Sequence, residues 1–368
     1  MRHVLFAALM ATALSFGAGA QMQAHAQAPQ GYPADYAKIV DAANKEGKVV
    51  IYSTTDAVAA NPLIKDFEAL YPGIKVEYSD LNSTELYNRF IAEAAANSGT
   101  GDVLWSSAMD LQIKLVADGQ AATYASPEIK ALPKWAVWNN AAYGTTYEPI
   151  TFVYNKRLVP EADVPKDHTE LLKLLNAKPD FYKGKITAYD PERSGVGYLF
   201  VNEDVKNFPA AWDLFKAMGK VQAKLYTSAG AMMERVTSGE HLIAYGIFGS
   251  YALGRSKKDP NLGIVLPTDY TMVTSRVAFI SKQAKNPNAG KLFLDYLLSK
   301  RGQEIVANKA DLYSLRPDVE GEATLKRVTQ MIGDKARPVP IDASLLENLD
   351  QTKRLAFLAK WQAAKKGQ

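Results

Sequence analysis

Short apolar runs alternate with segments of helical periodicity along the first third of the chain. Residues 48–52 and 102–105 read as buried strands, and the alternating apolar positions of residues 74–78 predict another strand. Between them, apolar side chains recur every three or four positions over residues 63–71 and 86–94, which predicts two helices. This βαβαβ order is typical of a parallel sheet, whose ligand-facing loops lie at the carboxyl ends of the strands.

The rest of the chain repeats this alternation. A β-prone run at residues 151–155 predicts a strand that leaves this first α/β unit, and residues 185–189 begin a second α/β unit. Residues 241–248 predict a buried strand, and residues 277–280 predict a return segment. A chain of 368 residues exceeds what one core usually holds, so we expect an α/β protein of two lobes.

The predicted helix in front of Pro72 and Gly73 has an explicit start signal. Asn61 is a favourable N-cap residue, and Pro62 suits the first helical position. The sequence therefore predicts that this helix begins at Asn61 and Pro62.

The sequence pattern at the N-terminus predicts a bacterial signal peptide. Arg2 gives a basic start, an apolar run rich in Ala and Leu follows, and Ala24-His25-Ala26 matches a cleavage site. Such a signal predicts export to the periplasm. The predicted division of the chain is signal peptide 1–26, lobe 1 of 27–148 plus 275–315, lobe 2 of 149–274, and a C-terminal helical region of 316–368 that packs on the lobes.

Composition narrows the function classes. The chain has no cysteine, which excludes disulfides, thiol nucleophiles and cysteine-type metal sites. The formal net charge of +4 is mild and does not indicate nucleic-acid binding. Two histidines follow the signal: His168, in a polar helix start, is expected to face solvent, and His241 to be structural.

The most informative local motif is Ser194-Gly195-Val196. It joins a turn to an apolar segment that can form a helix, so free backbone N–H groups and a serine hydroxyl meet at a helix N-terminus. Such a place can hold an anion. Alternatively, Ser194 is only an N-cap and Gly195 only eases the turn. Arg193 either pairs with the anion or stays solvated.

Several segments in this order resemble the periplasmic solute-binding proteins of ABC importers, in the group with ferric-iron, thiamine and phosphate-ester or phosphonate binders. The matching segments are residues 49–52, 72–76, 101–105, 154–156, 194–195, 238–240 and 290–299. The resemblance implies the type II two-lobe fold, in which each lobe is a mainly parallel sheet flanked by helices and a ligand cleft lies between the lobes. It also implies a monomer that hands a small molecule to a membrane permease, without cofactor or nucleic acid.

The resemblance argues against iron as the ligand. Ferric members hold iron with a His, a Glu and two adjacent tyrosines, and those places fall here near Asp56, near Ser107 and at Gly249-Ser250-Tyr251. Ferric iron needs several anionic oxygen ligands. Asp56 and Tyr251 are too few unless an outside chelator helps, so we expect no metal site; iron with a companion anion and thiamine remain as alternatives.

An anionic ligand fits the loops better. In ferric members a companion anion sits on a Ser-Gly-x helix start, which Ser194-Gly195-Val196 match. Hydroxyls and backbone N–H groups suit phosphate, phosphonate or carboxylate oxygens. Asp56 either caps a helix or binds an amine or a sugar hydroxyl. The candidate ligand-binding residues are Ser53, Thr54, Thr55, Asp56, Ser106, Ser107, Ser194, Gly195, Val196, Thr227, Ser228, Ser250 and Tyr251.

The competing class is a secreted hydrolase. The chain has neither a Gly-x-Ser-x-Gly nucleophile elbow nor a His-Glu-x-x-His zinc motif. We therefore expect no enzymatic activity. A sensor that feeds a membrane receptor would use the same fold, and the sequence does not separate it from a transport protein.

Overall fold

The computed structural model describes residue 29 and residues 31–368, so the predicted signal peptide lies outside the described residues. Two β-sheets are each flanked by helices, which confirms the predicted α/β class. No helix between residues 31 and 368 is long and apolar enough to cross a membrane.

The elements follow one another along the whole described chain. The strands are β1 Lys48–Ser53, β2 Lys75–Asp80, β3 Val103–Ser106, β4 Val137–Trp138, β5 Ala142–Gly144, β6 Glu148–Asn155, β7 Ile186–Tyr189, β8 Lys224–Tyr226, β9 Ile243–Phe248, β10 Leu262–Val265, β11 Thr271–Thr274, β12 Val277–Ile280 and β13 Ala336–Pro338. The α-helices are α1 Ala37–Glu46, α2 Ala57–Leu70, α3 Ser83–Ala95, α4 Met109–Ala117, α5 His168–Ala177, α6 Pro179–Tyr182, α7 Gly195–Asn207, α8 Ala211–Lys220, α9 Ala229–Ser238, α10 Gly249–Ser256, α11 Pro287–Leu298, α12 Lys300–Asn308, α13 Leu325–Ile332 and α14 Gln351–Lys365.

The first sheet has the order β2-β1-β3-β12-β5-β4. As predicted, β1 runs parallel to β2 and β3, with Ile51 opposite both Tyr78 and Val103. However, β12, β5 and β4 are antiparallel to their neighbours. The sheet is therefore mixed rather than mainly parallel. The reason is that β12 enters at Val277 opposite Ser106, the carboxyl end of β3, and must run back along it.

The second sheet is mixed in the same way. Its order is β13-β11-β6-β9-β7-β8, and β10 also pairs with β6. Strand β7 is parallel to β8 and β9, whereas β6 is antiparallel to β9, β10 and β11. A parallel neighbour needs a long crossover connection. Strand β6 has no such crossover, because the chain reaches it directly from the first sheet through residues 145–147. It therefore runs opposite to its neighbours β9, β10 and β11.

The chain passes between the sheets at short connections. Residues 145–147 join β5 to β6, and residues 275–276 join β11 to β12. The C-terminal region is not purely helical, because β13 pairs with β11 in the second sheet. Its helix α14 packs on α8, and the 3-10 helix Ala343–Leu349 packs on α4.

The start of α2 differs from the sequence prediction. The helix begins at Ala57, directly after Asp56, and Pro62 lies inside it. Proline lacks an N–H and cannot donate to the carbonyl four residues earlier, at Val58. Val58 is 76% exposed, so water can reach that carbonyl. The prediction of a start at Asn61 and Pro62 was wrong, because this proline is accommodated within α2.

Each sheet has its own apolar core. One cluster of buried side chains surrounds the first sheet and includes Phe67 and Phe293, whose ring centroids are 5.2 Å apart. Another surrounds the second sheet, where every residue of β9 is buried, as expected for a central strand covered on both faces. These two cores hold the strand ends, and with them the loops of the candidate site, in fixed positions.

Candidate ligand-binding site

A cavity of about 150 Å³ lies where loops from the two sheets meet. The loops after β1, β2 and β3 form one wall, and those after β7, β8 and β9 form the other. The lining residues are Thr54, Asp56, Asp80, Leu81, Asn82, Ser83, Ser107, Tyr189, Ser194, Val196, Thr227, Ser228, Ala229, Phe248, Tyr251 and Arg276.

Six helices begin at this cavity: α2, α3, α4, α7, α9 and α10. Three of them have side-chain caps, because Asn82, Ser194 and Ser228 accept hydrogen bonds from backbone N–H groups of their own first turns. The positive ends of the helix dipoles favour negative charge. The convergence of these helix starts therefore makes the cavity attractive to an anion.

Arg276 forms part of the cavity wall and is only 1% exposed. Its Nε donates to Oε1 of Glu148 at 2.8 Å, and its Nη1 donates to Oγ1 of Thr55 at 3.1 Å. Its Nη2 is buried and has no hydrogen-bond partner. Burial opposes the charge of Arg276, but Glu148 and other nearby acidic groups outweigh it and raise its pKa. The guanidinium is therefore charged and keeps one donor nitrogen free.

Direct contacts join the two walls. The backbone N–H of Val196 donates to Oγ of Ser83 at 3.2 Å. The hydroxyl of Tyr251 accepts from the N–H of Asp56 at 3.0 Å and lies 3.2 Å from its carboxylate, to which it donates. Because each of these pairs contains one residue from each wall, the cleft is closed in this structure.

Eight of the residues predicted from the sequence line the cavity. They are Thr54, Asp56, Ser107, Ser194, Val196, Thr227, Ser228 and Tyr251. Within this set, Thr54 and Ser107 bind each other, with their hydroxyl oxygens 3.0 Å apart.

The other predicted residues lie behind the lining. Ser53 and Ser106 are buried and accept from backbone N–H groups two residues further on. Thr55 and Ser250 are hydrogen-bonded to the buried ion pair. Gly195 lies at the start of α7, where a Cβ would approach Leu111 to 2.7 Å, so it allows close packing of α7 against α4.

Arg193 follows one of the two alternatives left open by the sequence, whereas His168 does not lie where the sequence suggests. Arg193 is exposed, and its backbone carbonyl accepts from Oγ1 of Thr84 at 3.1 Å. His168, which we expected in solvent, is 4% exposed, and its ring stacks on Tyr270 and lies 2.9 Å from the carboxylate of Asp269. That expectation was wrong because aromatic neighbours distant in the sequence cover the polar helix start.

Sequence reasoning missed the most buried charge in the cavity wall. Arg276 directly precedes the apolar run of β12. A charged residue next to a buried strand needs a partner, and this position was the signal in the sequence that could have indicated a functional role. Asp80 was also missed, although it follows a predicted strand. Burial is the main cause that raises its pKa, and the charge of Asp56 adds to the effect.

Residues 62–331 match the family of bacterial extracellular solute-binding proteins. The chain belongs to this family. A substrate-binding protein of an ABC transporter from Agrobacterium tumefaciens is 38% identical and superposes with a TM-score of 0.83, covering 86% of this chain and 94% of that chain.

Other solute-binding proteins share the fold at lower identity. AfuA from Actinobacillus pleuropneumoniae, solved with fructose 6-phosphate, is 23% identical, with a TM-score of 0.72 over 87% of this chain and 99% of that chain. Iron-bound HitA from Pseudomonas aeruginosa is 20% identical, with a TM-score of 0.69 over 86% of this chain and 99% of that chain. The predicted two-lobe periplasmic-binding-protein fold is thereby confirmed.

Proposed function

We propose that this solute-binding protein captures a small organic anion in the cavity and delivers it to the membrane permease of an ABC importer. The anion is a phosphate ester, a phosphonate or a carboxylate. The protein acts in the periplasm, as a monomer and without enzymatic turnover. The lobes correspond to residues 27–148 plus 275–315 and to residues 149–274, and they close on the ligand.

The observation that carries this proposal is the free Nη2 of Arg276. A buried donor without a partner costs about 1–3 kcal/mol, and more when the group is charged. An anionic oxygen in the cavity would remove that cost with a charge-assisted hydrogen bond. The guanidinium is already oriented by Glu148 and Thr55, so little further ordering is needed on binding.

The rest of the lining supports the same ligand class. Thr54, Ser107 and Ser228 line the cavity. The hydroxyl of Ser228 and one hydroxyl of the hydrogen-bonded Thr54–Ser107 pair can donate to anionic oxygens. Ser194 brings the start of α7 to the same space. A cavity of about 150 Å³ suits a small molecule rather than a long oligomer.

Ferric iron is the alternative with the clearest competing residues, Asp56 and Tyr251. Burial is the main cause that raises the pKa of Tyr251, which disfavours the phenolate that iron would need. No group of three His, Asp or Glu among the described residues could hold a metal ion. We expect protein mixed with ferric citrate to stay colourless. A stable visible charge-transfer band that Tyr251→Phe removes would favour iron instead.

Native mass spectrometry of the protein as expressed tests the proposal, because a tightly bound ligand would be retained. Thermal-shift screening of phosphate esters, phosphonates and carboxylates then assigns the class. We expect at least one anion to raise the melting temperature of the native protein and to have no effect on Arg276→Met. If only cations such as thiamine raise it, the proposal is wrong.

A further inference from the structure

The mouth of the cavity carries two carboxylates, on Asp56 and Asp80. Both line the cavity and both are exposed. Asp56 is the residue before α2, and Asp80 ends β2, so two adjacent parallel strands bring them together. The backbone N–H of Ala57 donates to Oδ2 of Asp80 at 2.9 Å, which ties the two acidic segments to each other.

Neither carboxylate has a cationic side chain as a partner. No ion pair joins Asp56 or Asp80 to a lysine, arginine or histidine among residues 31–368. Each uses one oxygen for a neutral donor: the Tyr251 hydroxyl for Asp56 and a backbone N–H for Asp80. The other oxygens, Oδ2 of Asp56 and Oδ1 of Asp80, remain available to a ligand. Oδ2 of Asp56 is near the opposite wall, since a Cβ on Gly230 would lie 4.0 Å from it.

The charges around the cavity do not balance with an anion alone. Arg276 acts electrostatically on Asp56 and Asp80, but it is already paired with the buried Glu148, so the three carboxylates outnumber this one cation. A ligand with only negative charge would gain from Arg276 and the helix starts but would be repelled at the mouth. A ligand with a cationic group at its outer end would instead be attracted at both ends.

We propose that the ligand is zwitterionic, with its anionic group at Arg276 and an ammonium group at Asp56 and Asp80. This inference rests on the proposed anion-binding function. It adds a second subsite that selects an amino-bearing anion, and it assigns Asp80 a role in ligand selection. Arg276 and the two acids line one cavity, so one small molecule can reach both subsites.

Isothermal titration calorimetry with matched probes tests this inference. O-phosphoethanolamine and ethyl phosphate differ by the ammonium group, and glycerol phosphate replaces that group with hydroxyls. We expect O-phosphoethanolamine to bind the native protein at least about tenfold more tightly than ethyl phosphate, as one charge-assisted hydrogen bond allows. In Asp80→Asn and Asp56→Asn this preference should shrink, while ethyl phosphate binds as well as before or better.

Asp118→Asn serves as the control, because Asp118 is a partly exposed acid of lobe 1 that pairs with Lys114 outside the cavity. It should keep the full preference. Equal binding of O-phosphoethanolamine and ethyl phosphate, or tighter binding of glycerol phosphate than of both, would overturn the ammonium subsite and leave anion binding intact. If none of the three binds and the mass spectra contain no anion, both proposals fail.

Discussion

Arg276, in the cavity wall, and Glu148, behind it, form a buried ion pair with Nε and Oε1 2.8 Å apart. Their side chains are 1% and 0% exposed. Glu148 begins β6 and Arg276 precedes β12, so the pair joins the two connections that run between the sheets. The ion pair therefore links the orientation of the proposed anion-binding guanidinium to the two connections between the sheets.

Glu148→Gln should lower both stability and ligand affinity. The change leaves the guanidinium buried without its counter-charge, which costs about 3–5 kcal/mol for buried pairs. It also frees Arg276 to leave its oriented position. Urea denaturation measures the first effect and calorimetry with the identified anion measures the second. As a control, Glu77→Gln removes the exposed ion pair with Lys48 and should lower the free energy of unfolding by under about 1 kcal/mol. An equal loss of stability in both variants would show that burial does not make the Arg276–Glu148 pair more important.

Substitutions at Ser194 should separate anion binding from helix capping. Ser194→Ala should weaken binding by about 1–3 kcal/mol, the value of one hydrogen bond to a charged group, and Ser194→Asp should nearly abolish it through like charge. Ser299 is the matched control, because it caps α12 by accepting from Gly302 N at 3.1 Å and lies away from this cavity. Ser299→Ala should lower stability and leave affinity unchanged. If Ser194→Asp bound the ligand with the affinity of the native protein, the ligand's anionic group could not lie at the N-terminus of α7.

Ligand binding should make the protein more compact. The contacts of Ser83 with Val196 and of Tyr251 with Asp56 join the walls, and they must break when the lobes open about the connections at residues 145–147 and 275–276. Two-lobe binding proteins close by hinge rotation. Solution scattering should therefore give a smaller radius of gyration with saturating ligand. The radius of gyration of Arg276→Met should not change when the ligand is added. An unchanged scattering profile of the native protein with saturating ligand would argue against closure.

Local signals in the sequence predicted the first three strands, β1 to β3, and the helix start at Ser194, because strand periodicity and N-caps involve neighbouring residues. The site itself depends on distant pairs. Arg276 is charged and buried only because Glu148, 128 positions earlier, reaches it. His168 is buried because Tyr270 stacks on it. Such contacts arise from tertiary packing, so no local pattern indicates them.

Asp110 should make stability depend on pH near neutrality. It lies in the first turn of α4, is 2% exposed, and accepts from the N–H of Leu111 at 2.9 Å. Burial is the main cause that raises its pKa, from 3.8 to about 7. The folded protein therefore binds a proton that the unfolded chain has lost between these values. The contribution of Asp110 to stability is most favourable below about pH 4 and falls as the pH rises to about 7.

Asp110→Asn should remove this penalty. Denaturation at several pH values should find the variant more stable than the native protein above pH 7, by roughly 1–4 kcal/mol, since each unit of pKa shift corresponds to about 1.4 kcal/mol. The gain should shrink as the pH falls from 7 to below 4, where the native carboxyl is protonated in both states. Asp118→Asn, in the exposed C-terminal cap of the same helix, should leave this slope in place. A gain from Asp110→Asn that stays constant between pH 4 and 8 would mean that packing, rather than the buried charge, limits stability at this position.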